Sequence, residues 1–198
     1  MSVTPRLERE VGSPLDESNF LHYKIPEGCG PIRYTWRQDR LYRAILLLIP
    51  AGLCLAAAGF FWNIAVLPWG VGLWDAGVLG SALTILIWDR KVKRIIVTSA
   101  VVGIVVQLLA LFLPLSGFLL PLGAGITAIG AAGISGKEAH CFAIREGWWL
   151  IPVYAFTALT FLFQLFAAGR LLLAVTAILA TSFTVRKLLL PLIVVDEE

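Results

Sequence analysis

Trp88-Asp89-Arg90-Lys91-Val92-Lys93-Arg94-Ile95 gathers four basic side chains into one short turn. On either side the chain is apolar for a long way, over 71–88 before the turn and 95–113 after it. Runs of that kind joined by a basic turn read as a helical hairpin that crosses a bilayer and returns, since about 20 apolar residues span the hydrocarbon. Short loops rich in Lys and Arg stay cytoplasmic, so the same turn also sets the side.

Working outward, six apolar stretches can be read, at about 44–66, 71–88, 95–113, 118–136, 148–167 and 171–185. The gaps between them carry, in order, no basic residue, four, none, two and one. Seven basic residues precede the first stretch (Arg6, Arg9, Lys24, Arg33, Arg37, Arg40, Arg43), and Arg186 and Lys187 follow the last. Six crossings put every Lys and Arg except Arg170 on the side of the N-terminus, whereas an odd number breaks the pattern. The expectation is an all-α fold, a polytopic transmembrane helix bundle of six spans with both termini cytoplasmic.

Composition agrees. Of the residues, 59% are hydrophobic and 15% charged, against about half and about a quarter in a soluble domain. Thirteen of the 29 charged residues lie in the first 43 positions, so little water-facing surface is left for the rest. The net charge of +3 is explained by orientation in the membrane and is no nucleic-acid footprint. Cys29, Cys54 and Cys141 are odd in number and widely spaced, which indicates neither a disulfide framework nor a zinc site. Cys54 reads as a small packing residue in mid-span. Residues 1–31 form a polar, flexible tail with no cleavable signal, and 188–198 a C-terminal tail. The first span acts as its own insertion signal.

Small residues mark where helices approach. Gly52 and Ala56–Gly59 line a face of span one. Span four carries Gly123, Gly125, Gly130 and Gly133, with Ala124, Ala128, Ala132 and Gly136 four apart, a packing face for the bundle centre or a subunit contact. Pro152 falls in or near the first turn of span five, where a missing N–H is harmless. Span six is short, with 15 residues or roughly 22 Å between Arg170 and Arg186. Five spans and a docked C-terminal hairpin therefore stay open. Trp62, Trp69 and Trp74 gather on the outer side and Trp88, Trp148 and Trp149 on the inner, as in an interfacial belt. Residues 32–43 read as an interfacial amphipathic helix, with Tyr34, Trp36 and Tyr42 among four arginines. It serves either to recruit an acidic partner or to anchor the chain at the surface.

Few polar residues remain to carry chemistry. Asp75 is the one carboxylate within a span, a turn or two below the outer surface. It is either a proton or cation site or an interfacial Asp near a helix N-terminus. Gln107 and Gln164 lie within spans three and five and either bridge helices or line a path. The densest cluster is Lys137, Glu138, His140, Cys141, Phe142, Arg145 and Glu146, between spans four and five. A helix continuing through it puts Lys137, Cys141 and Arg145 on one face, with a thiol between two cations that is activated. His140 and Cys141, being adjacent, make a poor metal pair. The sequence shows no catalytic, cofactor or metal motif.

The segments Asp39-Arg40-Leu41-Tyr42-Arg43, Trp88–Arg94 and, above all, Lys137-Glu138-Ala139-His140-Cys141-Phe142 resemble an uncharacterised family of integral membrane proteins typical of cyanobacteria. The resemblance covers roughly 37–187. It implies a plasma or thylakoid membrane, supplies no reaction, and points to Lys137, Glu138, Cys141 and Phe142.

The expected function is that of a non-enzymatic, multi-pass assembly or stabilising factor for a larger membrane complex. Its partners are the lipid bilayer and either that complex or further copies of itself, with no nucleic acid and no cofactor. Two alternatives stand beside it: a small oligomeric transporter or channel using Asp75, Gln107 and Gln164, and a membrane enzyme acting through Cys141 with Glu138 or His140.

Overall fold

A computed structural model of the chain describes residues 20–22, 36–87, 89–113 and 116–194. Trp88, Cys29, residues 32–35 and the tail 1–31 apart from 20–22 lie outside the described residues. The helices are α1 (Trp36–Leu46), α2 (Leu48–Phe61), α3 (Leu67–Thr84), α4 (Arg90–Ala110), α5 (Ser116–Phe142), α6 (Arg145–Leu162) and α7 (Phe166–Leu189). A 3-10 turn, Ile64–Val66, leads into α3.

Five helical segments are long and apolar enough to cross a membrane: α1 with α2, α3 with its 3-10 turn, α4, α5 and α7. The sixth, α6, has 18 residues and starts on the charged pair Arg145-Glu146. Each helix packs on the next in sequence from α2 to α7, and α7 returns to α2, so the bundle closes on itself. Helix α5 touches α3, α4 and α6. Outward faces are apolar, with Val101, Val105 and Leu108 of α4, Phe156 of α6 and Ile178 of α7 all exposed.

Local chemistry explains the boundaries. Pro50 has no N–H for the Leu46 carbonyl, so the ladder lapses at Leu47, but the backbone there stays helical (φ −61°, ψ −26°) and α1 runs on into α2. The resulting helix, Trp36–Phe61, has 26 residues, about 39 Å. The Asn63 side chain caps the 3-10 turn by accepting from the Ala65 N–H at 3.1 Å. Asp89 caps α4, accepting from the Lys91 N–H at 2.7 Å. Lys93 reaches back from α4 to the Ile85 carbonyl, where α3 ends. Ala143 (φ 54°) and Gln164 (φ 58°) adopt the left-handed conformation that stops α5 and α6.

Several sequence expectations change. The helix expected over 32–43 is Trp36–Leu46; it does not lie free along a surface, because its Asp39–Tyr42–Arg43–Leu46 face is buried against α3 and α7. Helix α7 is one helix of 24 residues, about 36 Å, and not a hairpin. Arg170, Arg186 and Lys187 lie within it, because a charged side chain does not end a helix as a lost backbone bond does. Pro152 is in the interior of α6 rather than its first turn, since α6 begins at Arg145. Trp62 and Trp69 are exposed, but Trp74 is 6% exposed and belongs to the core. Cys54 faces outward, across from Thr181 of α7. Two short strands join the helices: β1 (Phe20–His22) pairs in parallel with β2 (Leu192–Val194).

The glycines set the crossings. A Cβ on Gly52 would strike the Trp74 backbone, and one on Gly70 the Ala56 backbone, so α2 and α3 touch main chain to main chain. The same holds between α4 and α5, where Gly103 faces Thr127 and Gly123 faces Gln107. The ladder expected on α5 is turned inward: Ala128 is buried, and Ala124 and Ala132 pack on the core. Gly103→Val should therefore cost about 1–3 kcal/mol in thermal unfolding of the detergent-solubilised protein. Gly72→Ala, which meets open space inside α3, should instead raise stability, by about 0.5–1 kcal/mol.

Candidate functional site

The chain direction of the closed bundle collects one end's charges. The N-terminus of α1, the C-termini of α3, α5 and α7, and the N-termini of α4 and α6 share that end. Every described Lys and Arg except Arg170 lies there, and we call it the basic end.

Glu138, on the last turns of α5, is fully buried there. Lys137 binds one carboxylate oxygen at 2.9 Å and Lys187 of α7 the other at 2.6 Å. The Tyr42 hydroxyl of α1 donates to Oε1 at 3.2 Å. One carboxylate thus joins three helices. The Lys187 ammonium also sits 3.6 Å from the Phe142 ring centroid and 5.8 Å from that of Tyr42, and Lys137 lies 4.9 Å from Phe142. These faces supply the negative side of an aromatic quadrupole where water is excluded.

Arg43 works beside this pair and is 6% exposed. Its Nε binds Asp39 at 2.8 Å, one turn earlier on α1. Nη1 donates to the Leu188 and Leu190 carbonyls at 3.3 and 2.6 Å, and Nη2 to the Pro191 carbonyl at 2.5 Å. The last carbonyls of a helix have no partner within it, and a planar guanidinium can serve several at once. Arg43 therefore fixes the end of α7 and the approach to β2. A further tie links α6 and α7, where Glu146 accepts from Arg186 at 2.7 Å and from Ser182 at 3.3 Å.

A second polar group lies toward the other end. Gln107 donates through Nε2 to Asp75 Oδ1 at 3.1 Å and to Thr127 Oγ1 at 3.2 Å, joining α3, α4 and α5. Asp75 is the ninth residue of α3, about 12 Å along its axis, so it caps no helix start. Its neighbour Trp74 faces the Tyr154 hydroxyl of α6. Thr157 and Thr176 share a hydroxyl contact of 3.0 Å between α6 and α7.

The residues singled out in the sequence divide accordingly. Lys137, Glu138, Cys141 and Phe142 come together at the basic end, and Asp75 meets Gln107. His140 is exposed on the other side of α5. Arg145 is exposed on α6 and shares no helical face with Lys137 and Cys141, because Ala143 ends α5 between them. Gln164 is exposed in the left-handed link between α6 and α7, away from Asp75 and Gln107 and outside any helix. Cys141 is half-buried beside Lys137 and Lys187, but both cations pair with Glu138, so the thiol has no free cation to activate it. Lys187, Tyr42, Arg43, Asp39 and Thr127 were not foreseen as site residues. Among the described residues no three His, Cys, Asp or Glu side chains are placed to hold a metal ion.

Chemically the basic-end cluster is an ionic lock. Three cations (Lys137, Lys187, Arg43) face two carboxylates (Glu138, Asp39), and aromatic rings cover them. Glu138→Gln should destabilise the protein more than Lys187→Met, because it leaves two ammonium groups unmatched whereas the latter leaves one pair intact. About 3–5 kcal/mol is expected for the former. In a double-mutant cycle of denaturant unfolding, the two losses should sum to more than the loss in the double variant. Arg43→Lys should expose residues beyond Leu189 to protease faster while the helix content stays unchanged, as read by mass spectrometry and circular dichroism.

No protein-family model, no curated protein and no solved structure matches the chain.

Proposed function

We propose that this protein is an integral membrane protein of six spans with both ends cytoplasmic, and that it acts without catalysis to assemble or hold a larger membrane complex. The basic end then faces the cytoplasm, in accord with the retention of Lys and Arg on that side. The plasma or thylakoid membrane of a photosynthetic bacterium is the setting that goes with this reading.

One observation carries it. The inner face of α1 is locked to the bundle by Asp39, Tyr42 and Arg43, which leaves the opposite face exposed and preorganised: Trp36, Arg37, Arg40 and Leu41. Arg37 and Arg40 stack on the Trp36 ring at 5.3 and 4.7 Å. The 26-residue helix Trp36–Phe61 is about 9 Å longer than the hydrocarbon is thick, a surplus that supports a position for this face at or beyond the lipid boundary. A rigid aromatic–arginine surface is the composition that anchors interfaces, and it suits an acidic partner segment. Binding to such a face incurs little ordering cost, since the helix is already held.

The test is native electrophoresis of tagged protein solubilised in mild detergent, with mass spectrometry of what migrates with it. The wild type should run with a large complex, and Arg37→Glu with Arg40→Glu should release it while leaving expression unchanged. Migration of the wild type alone, or release of neither form, contradicts the reading. Retention on anionic vesicles alone would instead make the face a lipid anchor.

A further inference from the structure

Asp75 is the one buried carboxylate among the described residues that takes part in no ion pair. Asp39 pairs with Arg43, Glu138 with Lys137 and Lys187, and Glu146 with Arg186. Asp75, which is 9% exposed, meets dipoles from the two neighbouring helices: Gln107 of α4, bonded to it at 3.1 Å, and Thr127 of α5, bonded to that amide at 3.2 Å. On the neighbouring stretch of α3, Gly52 of α2 packs on the Trp74 backbone and Ala56 on that of Gly70, and from α6 the titratable group facing Trp74 is the Tyr154 phenol. The described basic residues lie at the far end, apart from Arg170, exposed on the second turn of α7.

We propose that Asp75, held by Gln107 and Thr127, binds a monovalent cation, a proton or Na+, within the membrane. An ionisable side chain in the hydrocarbon is a functional-site candidate by default, ion and proton sites among the uses, because an uncompensated charge there is costly. Asp75 meets that condition where Glu138, buried but matched, does not. A bound cation supplies the missing counter-charge, while the Gln107 amide fixes the direction in which the carboxylate points. Two further features suit the role. Helix α4 ends at Ala110, less than a turn past Gln107, so the amide reaches the mid-α3 carboxylate from near the end opposite the basic cluster. The group also sits on the tightest crossing of α4 and α5, where Gly103 meets Thr127 and Gly123 meets Gln107. Occupancy is thereby felt as helix packing. Gln164 has no part in it, so the site has three side chains from three neighbouring helices and is independent of what α1 recruits.

The experiment uses the purified full-length chain in lipid nanodiscs and follows its unfolding midpoint. In one arm NaCl replaces choline chloride at constant ionic strength; in the other pH is varied at fixed salt. Binding to the folded state raises the midpoint, so the wild type should shift by about 4 °C or more in at least one arm. Asp75→Asn keeps the shape and the bond from Gln107, and should be flat in that arm. A response to Na+ alone identifies the metal ion, and a response to pH alone identifies the proton. Equal shifts in wild type and variant overturn the proposal, since Glu138, Lys187 and Cys141 are common to both. Should Asp75→Asn fail to fold, labelling of the wild type by an apolar carbodiimide decides. Modification of the fragment carrying Asp75 should fall with added Na+ or with rising pH, and labelling indifferent to both contradicts the site.

Discussion

Lipid tails are as apolar as a leucine side chain, so the hydrophobic effect does little to press one helix against another inside a bilayer. Contact must come from close van der Waals fit and from polar groups that have nowhere else to bond. This chain uses both. Gly52 and Gly70 bring α2 and α3 into main-chain contact, and Gly103 and Gly123 do the same for α4 and α5. Gln107 and the Thr157–Thr176 pair then bond across helices that those crossings have already brought near. Each such bond contributes modestly, about 0.6 kcal/mol on average in a comparable setting, so register comes from their number and placement.

The basic end follows a different rule, because there the chain buries full charges. Taking Glu138 and Lys187 out of water costs several kcal/mol for each ion, which is offset only when geometry and extra bonds are good. Two lysines, a tyrosine and the Phe142 ring meet that requirement. Such an arrangement contributes less to stability than to specificity: it selects one angle for α1 and one position for the end of α7. A helix end without such ties would fray. Here it is held to the bundle, with a defined basic and aromatic outer face.

Much of this was legible in the residues. The apolar runs and the sorting of Lys and Arg reveal the helices, and the adjacency of Lys137, Glu138, Cys141 and Phe142 reveals half of the basic-end site. The residues at the two helix ends escape for one physical reason: a charged side chain looks like a boundary, whereas helices end where backbone bonds fail. Lys187 follows Thr176, Ala180, Phe183 and Thr184 at helical spacing along the buried face of α7, and extending that row by one turn places it inside. Asp39, Tyr42 and Arg43 precede Leu46, Ile49 and Leu53 in the same way on the first helix. Gln164 was misplaced because no glycine or proline marks the turn in which it sits; the left-handed residue is the glutamine itself. Thr127 gave no signal, since its use depends on Gly103 standing opposite it.

All of these roles presuppose how many times the chain crosses the bilayer, and α6 is the helix on which that number turns. In a variant lacking Cys29, Cys54 and Cys141, single cysteines at Arg40, Trp69, Ala143 and Gln164 can be probed with a membrane-impermeant thiol reagent on intact cells. Six spans with cytoplasmic ends predict labelling of the Trp69 and Gln164 positions from outside, and of the Arg40 and Ala143 positions only after permeabilisation. Labelling of the Ala143 and Gln164 positions from the same side would mean that α6 does not cross, and would contradict the account.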